Sequence, residues 1–215
     1  MNNPVVILGG GGHASVLMDI LQITGREIIG VVDPALVKGS VLSNGVKVLG
    51  DDQEIMTYTA NDIELVNGVG SLPGQMLRKS LYQKYQQLGY HFTTLIHPSA
   101  TIAQAVRLAE GVQLMAGTVV QTGSAIGANT IINTRASVDH DCVIAEHCHI
   151  APGAVLCGDV VIAASVHVGP GATIIQGLSL DEGVTVAAGA VVTKNLCANT
   201  IVFPALGSSK MKQDK

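Results

Sequence analysis

The chain has 215 residues, enough for one or two small domains with a real core. Its formal net charge is −4 and only 13% of its residues are charged, which argues against a nucleic-acid partner because no basic excess exists to hold a phosphate backbone. Mean hydropathy is +0.42, yet no apolar run reaches the roughly 20 residues of a spanning helix. The opening Met1-Asn2-Asn3-Pro4 lacks the basic region of a secretion signal, so a soluble cytoplasmic protein is expected. Aromatic content is only 3% and Trp is absent, as suits a narrow interior filled with aliphatic side chains. None of Cys142, Cys148, Cys157 and Cys197 forms a CxxC pair, and free buried thiols are expected.

Val5 to Leu8 reads as a short buried strand. Gly9-Gly10-Gly11-Gly12-His13-Ala14 follows, then an amphipathic helix through about Thr24. Ile28 to Val32 is a second strand ending at Asp33, Glu64 to Val69 a third, and Gln75 to Leu88 a second helix. The reading is β-α-β-α-β, half of a doubly wound nucleotide fold, over residues 1–95. The glycine turn has three readings: a structural tight turn, a dinucleotide fingerprint with Asp33 about 20 residues on, or a phosphate cradle for a sugar nucleotide. The segment has room for one mononucleotide half only, which favours the last. Gly11, Gly12 and His13 would then line the ligand, Asp33 would accept hydrogen bonds from a ribose or base, and Gly70 would lie at the same carboxyl edge.

From Ile102 to Val192 every sixth residue is aliphatic, sixteen positions without a miss. The residue four places after each, such as Ala136, Cys142, Cys148 or Ala154, is small or apolar. A helix of period 3.6 cannot hold one residue in six on a face, and a lone strand would also bury position two, where Gln104, Glu110 and His140 stand. The pattern fits short straight segments with a corner in each hexad, the aliphatic and small positions pointing inward. Cys142 and Cys148 fall in inward slots and are not nucleophiles. The four histidines His140, His147, His149 and His167 all fall in outward phases, so none is expected in the core.

This repeat resembles the hexapeptide-repeat acyltransferases, whose fold is a left-handed parallel β-helix of triangular section with three hexads per coil. Residues 96–205 are assigned to it, followed by a polar tail at 206–215. Gly-Gly-His-Ala after the first strand, combined with Asn133 and the His140-Asp141-Cys142 run in the solenoid, is similar across residues 4–205 to bacterial sugar acetyltransferases: those acting on UDP-4-amino sugars of the bacillosamine pathway, on perosamine and on sialic acid. The resemblance implies direct acetyl transfer from acetyl-CoA to the 4-amino group of a nucleotide-linked, UDP-type sugar in surface-glycan biosynthesis. It selects His140 as the general base, Asp141 as the group that orients it, and Asn133 at the acceptor. It places His149, Gly158, Pro170 and Ala188 at acetyl-CoA, and implies a homotrimer with the active site between neighbours.

The register adds an argument of its own. Gly158 lies 18 residues beyond His140, so the coil above the base carries no side chain there, leaving space for a thioester and a free N–H for an oxyanion. His149 and His167 are also 18 apart and should stack. A two-imidazole metal site is the alternative there, although no Cys or carboxylate shares the column, and no metal is expected. Small polar residues such as Thr122, Asn133 and Thr134 occupy the outside between Gln113 and Val138, a surface suited to burial against copies of the chain. The family's closing Gly-x-Pro-Ala-Lys/Arg is here Val202-Phe203-Pro204-Ala205-Leu206, a departure that puts in doubt a basic contact to CoA phosphate there; Lys194, Lys210 or Lys212 are candidates to serve instead, although 210–215 reads better as a frayed polar tail. Two other functions compete: O-acetylation of sialic acid or another sugar hydroxyl, which leaves the glycine turn unexplained, and a non-catalytic trimeric scaffold that binds a sugar nucleotide, against which the intact His140-Asp141 pair argues.

Overall fold

The structure is a computed structural model and describes residues 3–205; the expected tail at 206–215, with Leu206, Lys210 and Lys212, lies outside the described residues. Strand β1 (Val5–Leu8) leads through the glycine turn into α1 (Gly12–Ile23), then β2 (Ile28–Val32), β3 (Val48–Gly50), a 3₁₀ helix (Asp52–Thr57), β4 (Glu64–Asn67) and α2 (Leu77–Gln87). All pairings are parallel and the strand order is β3-β2-β1-β4. The expected β-α-β-α-β order is therefore corrected: β3 and the 3₁₀ helix replace an α-helix between β2 and β4. That segment contains Pro34, Gly39, Gly45 and Gly50, which interrupt any helical period. The third strand stops at Asn67, short of Val69.

The sheet is buried on both faces, so β1 reads as a continuous apolar run. Val5 and Ile7 pack with Ala14, Leu17, Met18 and Leu21 of α1. Val6 and Leu8 face Tyr82 and Tyr85 of α2 together with Ile55, Tyr90 and Phe92.

The second half is a parallel β-helix of two-residue strands. Partners are 18 residues apart, as in Gln113↔Ile131↔His149↔His167↔Thr185. Three faces result, with seven, six and five strands. The seven-stranded face runs from Leu95–Ile96 to Ile201–Val202. The six-stranded face runs from Thr101–Ile102 to Val191–Val192, and the five-stranded face from Arg107–Leu108 to Ser179–Leu180. The aliphatic series fills the interior, with Ile132, Val138, Ile150 and Leu156 fully buried.

From Gly111 to Gly189 every sixth residue turns a corner with positive φ. Gly serves at positions such as 111, 117 and 123, and Asn129, Arg135, Asp141 and His147 serve where φ is 56 to 62°. In the small inward slots, polar atoms close the corner backbone. Ser124 Oγ donates to Asp139 O (2.8 Å) and accepts from Cys142 N (3.1 Å); Thr130 Oγ1 does the same with Ala145 O and Cys148 N at 2.9 and 3.0 Å. Cys142 and Cys148 are buried as expected, but Cys157 is half-buried and Cys197 exposed; all four are free.

The front unit seats on the seven-stranded face. Met115, Ile131 and Leu95 of the solenoid join the α1 core, and Gln113 is 1% exposed. Gln113, at one end of the small-polar stretch, is thus covered by the chain's own front unit, whereas Thr122 is exposed and Asn133 and Thr134 are half-buried. The reason is the apolar pair Met115 and Ile131, which gives α1 a dry surface to meet.

Candidate active site

The parallel register aligns Leu8, Val32 and Asn67, so the segments that follow them emerge at one carboxyl edge. There Gly9, Gly11, Gly12, His13, Asp33, Gly68 and Gly70 line a cleft of about 410 Å³. Gly11 caps α1 with no side chain, and a Cβ at Gly11 or Gly12 would meet nothing within 4 Å. The first-turn N–H groups therefore open onto the cleft, a geometry that favours anions. Asp33 is partly committed elsewhere: Oδ2 accepts from Gly10 N (2.8 Å) and Oδ1 from Ala35 N (2.9 Å), so it shapes the turn first and has only its remaining lone pairs for a ligand.

Behind the cleft runs a buried polar chain that sequence reasoning missed. His13 Nε2 meets Gln113 Oε1 (2.8 Å), and Gln113 Nε2 donates to Asn67 O (2.9 Å). Asn67 Nδ2 donates to Asn129 Oδ1 and to Arg78 O. Arg78, 5% exposed, donates from Nη1 to the carbonyls of Asn67 and Val69 (both 2.8 Å) and from Nη2 to Asn129 O (3.3 Å). Its partners are carbonyls alone, and burial pulls its pKa down to about 9. These bonds tie the ends of β4 and α2 to the solenoid.

His140 and Asp141 sit on the corner between the six- and five-stranded faces, between strands Ser137–Val138 and Val143–Ile144. Asp141 takes the corner's left-handed conformation (φ 60°), which turns its carboxylate back to His140 Nδ1 at 2.9 Å. Both side chains are more than half exposed. With the Nδ1 proton donated to Asp141, Nε2 is the free base. The Asp141 hydrogen bond raises the His140 pKa above its ordinary value, with Asp139, Asp141 and Asp159 adding charge.

Two glycines frame the pair. A Cβ on Gly158 would stand 2.4 Å from His140 Nε2 and 2.5 Å from Cε1, so the Nε2 end of the ring packs directly against the next coil. The space next to Gly158 is therefore filled by the imidazole itself, which corrects the expectation of an empty column. Gly158 N–H donates no hydrogen bond among the described residues, consistent with the expected free donor. Gly123, one coil below Asp141, was not anticipated: a Cβ there would lie 2.1 Å from Asp141 Oδ1. The signal was present, since 141 minus 123 is 18.

His149 and His167 stack as expected, ring centroids 4.9 Å apart and edge-on. His149 points outward from the solenoid, as expected, yet is only 8% exposed because the front unit covers it. Its Nδ1 donates to Ser71 O (2.9 Å) and its Nε2 accepts from Asn133 Nδ2 (3.0 Å), because Asn133 Oδ1 is taken by Thr134 N. Burial lowers its pKa to about 4, so the ring is neutral. Among the described residues no group of three or more His, Cys, Asp or Glu is placed to hold a metal ion.

Pro170 and Ala188 are exposed on the corner between the seven- and six-stranded faces, the corner that also carries Asn133. Pro170 lacks an N–H and its carbonyl accepts from Gly189 N (2.9 Å), so it offers a ligand only its ring and a second lone pair. A larger cleft of about 450 Å³ lies at the third corner, lined by Lys79, Asn129, His147, Ser165 and His167, and shares Leu72 and Gln75 with the glycine cleft. His140 lines neither cleft. It occupies the one corner that does not border the face carrying the front unit.

Two family models match the chain: the PglD N-terminal domain over residues 4–85, and the bacterial transferase hexapeptide (six repeats) over 123–158. Among solved structures, GDP-perosamine N-acetyltransferase from Caulobacter crescentus, a histidine-to-alanine mutant in complex with CoA and GDP-perosamine, is 34% identical, covers 93% of this chain and 92% of its own, and superposes with a TM-score of 0.85. The acetyltransferase domain of PglB from Neisseria gonorrhoeae, in complex with acetyl coenzyme A, is 30% identical over 94% and 96% of the two chains, with a TM-score of 0.86. WeeI from Acinetobacter baumannii, at 24% identity and a TM-score of 0.82, shares the fold. Among the described residues no helix is long and apolar enough to cross a membrane.

Proposed function

The chain belongs to the hexapeptide-repeat sugar N-acetyltransferases with a PglD-type front domain, an acetyl-CoA-dependent family, and from that premise we propose that it acetylates the 4-amino group of a nucleotide-linked sugar with His140 as general base. The observation that carries this reading is the His140–Asp141 pair, held at an exposed corner with Nε2 free. The sugar amine attacks the thioester carbonyl and a C–N bond forms. His140 Nε2 takes the amine proton, at a pKa suited to neutral pH. Gly158 N–H faces the developing oxyanion. The C–S bond then breaks, and the imidazolium returns the proton to the CoA thiolate. The diphosphate sits at the start of α1, against Gly11 and Gly12, with Asp33 and Gly70 at the rim. Ala188 contacts acetyl-CoA along the neighbouring corner, with Pro170 offering its ring and Asn133 facing the acceptor; His149, buried with both ring nitrogens bonded, acts there only by holding Asn133.

A chain cannot bring its own glycine cleft to its own His140, since the two lie on opposite sides of the prism. That separation supports a site shared between chains, in which a closed trimer gives every His140 a neighbour's front unit. The exposed Val143, Val155, Val161 and Val191 on the two uncovered faces support that packing.

The test is thiol release from acetyl-CoA with UDP-, GDP- and dTDP-linked 4-amino sugars, and with sialic acid as the hydroxyl acceptor. The expected product gains one acetyl group on nitrogen. Turnover confined to sialic acid overturns the reading. Mixing His140→Ala chains with chains carrying a blocked glycine turn should restore part of the activity; no recovery, with native mass spectra showing mixed trimers, rules out the shared site.

A further inference from the structure

His13 would ordinarily be taken as a phosphate ligand, because it stands in the first turn of α1 beside the glycines. Its hydrogen bonds lead elsewhere. Asn67 O can only accept, so the Gln113 side-chain group facing it is the NH₂. Gln113 Oε1 therefore faces His13, and an amide oxygen can only accept. The proton on Nε2 of His13 is fixed by that contact. Gln113 cannot flip without setting its oxygen against Asn67 O, and at 1% exposure no water replaces the lost bond. Nδ1 has no partner among the described residues and is not among the buried unpaired atoms, so it opens to the cleft that His13 lines.

We propose that Gln113, a solenoid residue 100 positions from the glycine turn, is a positioning residue that holds His13 as a hydrogen-bond acceptor toward the ligand, so that His13 Nδ1 receives a hydroxyl or amine hydrogen of the sugar rather than contacting a phosphate oxygen. The inference rests on the nucleotide-sugar reading of the cleft and deepens it. The surroundings agree. Burial and the Arg78 guanidinium lower the His13 pKa to about 4, which keeps the ring neutral; His149 lies nearby, itself uncharged. Asp33, on the opposite rim, is drawn to Gly10 and Ala35. A neutral ring with a bare Nδ1 repels a phosphate oxygen and attracts an O–H or N–H. Selection for the sugar thus depends on the docking of the two halves, since one supplies the imidazole and the other sets its proton.

Two measurements test this on the full-length protein. Long-range ¹H–¹⁵N spectra at neutral pH should show His13 as the Nε2–H tautomer, and Gln113→Met should convert it to a mixture. An Nδ1–H or imidazolium His13 in the unaltered protein overturns the proposal whatever the enzyme's substrate. Calorimetry then compares UDP and GDP with their 4-amino-sugar conjugates. Gln113→Met should bind the conjugate roughly five- to tenfold more weakly, as expected for one misdirected hydrogen bond, and the free diphosphate unchanged. Diphosphate affinity should be flat from about pH 6 to 8 in its dependence on His13, judged against His13→Phe. Equal losses for diphosphate and conjugate, or His13-dependent tightening on acidification, sink the acceptor role while leaving the wider function standing. Failure of every nucleotide to bind the unaltered protein removes the functional reading as well, with the tautomer still decided by the spectra.

Discussion

Five of the six aromatic residues (Tyr58, Tyr82, Tyr85, Tyr90 and Phe92) belong to the front unit, whereas the solenoid interior holds only aliphatic and small side chains. The two regions solve burial differently. The solenoid repeats one narrow cross-section, and each residue answers mainly to its neighbours 18 positions away. The front unit packs irregular shapes, and its aromatic rings fill the gap between the sheet and α2. Functional chemistry follows the same divide. The proposed base is set by local rules: a corner, a hexad register and two glycines. The glycine cleft is set by contacts between segments far apart in sequence.

The largest expected effect breaks the solenoid side of the comparison. His140→Ala should lower kcat by roughly 10²–10⁴ while leaving both KM values within a few-fold. A loss smaller than about threefold removes His140 from the mechanism. Next comes the junction. Arg78→Met leaves the carbonyls of Asn67, Val69 and Asn129 short of donors and should destabilise by roughly 3 kcal/mol in denaturant titrations. If the two regions fold as one cooperative unit only because of this network, the variant should also split one transition into two; an unchanged single transition shows that the α1 core suffices.

Gly158→Ala sharpens the local side. A Cβ placed 2.4 Å from Nε2 must push the imidazole off its seat, and about 10²-fold in kcat is expected from misplacement of that order. Gly12→Ala is its counterpart in the front unit: no atom lies within 4 Å, so stability should hold and any change should appear in the nucleotide-sugar KM. The smallest effect is a shift in pH dependence. The base works deprotonated, and Asp141 raises its pKa, so activity should fall as pH drops through a midpoint above the ordinary histidine value of about 6.5. Asp141→Asn should move that acid limb to lower pH. A limb that stays in place assigns it to another group.

Much of the solenoid was legible. The sixteen-position series implied inward residues, the stacking of His149 on His167, and the register that sets Gly158 one coil from His140, though not that the imidazole itself fills the space there. The left-handed corner at Asp141 was not anticipated, although aspartate tolerates that backbone better than most residues. The front unit yielded its first two strands and its helices to within one or two residues, but not β3. Three residues pair there, at the edge of the sheet, in a segment of turns with no period of its own. The burial of His149 was not readable either, because outward from the solenoid became inward once Ser71 covered it.

By itself the sequence determined the solenoid, the carboxyl-edge glycine turn and the adjacency of His140 and Asp141. Each follows from a period or from immediate neighbours, and such rules act along the chain. Only the tertiary structure decided which face the front unit covers, and with it the Gln113–His13 contact, the buried Arg78 and the separation of His140 from its own cleft. Those depend on two surfaces 50 to 100 residues apart meeting in one orientation, fixed by Met115 and Ile131 against α1 and by hydrogen bonds whose partners carry no mark in the linear pattern.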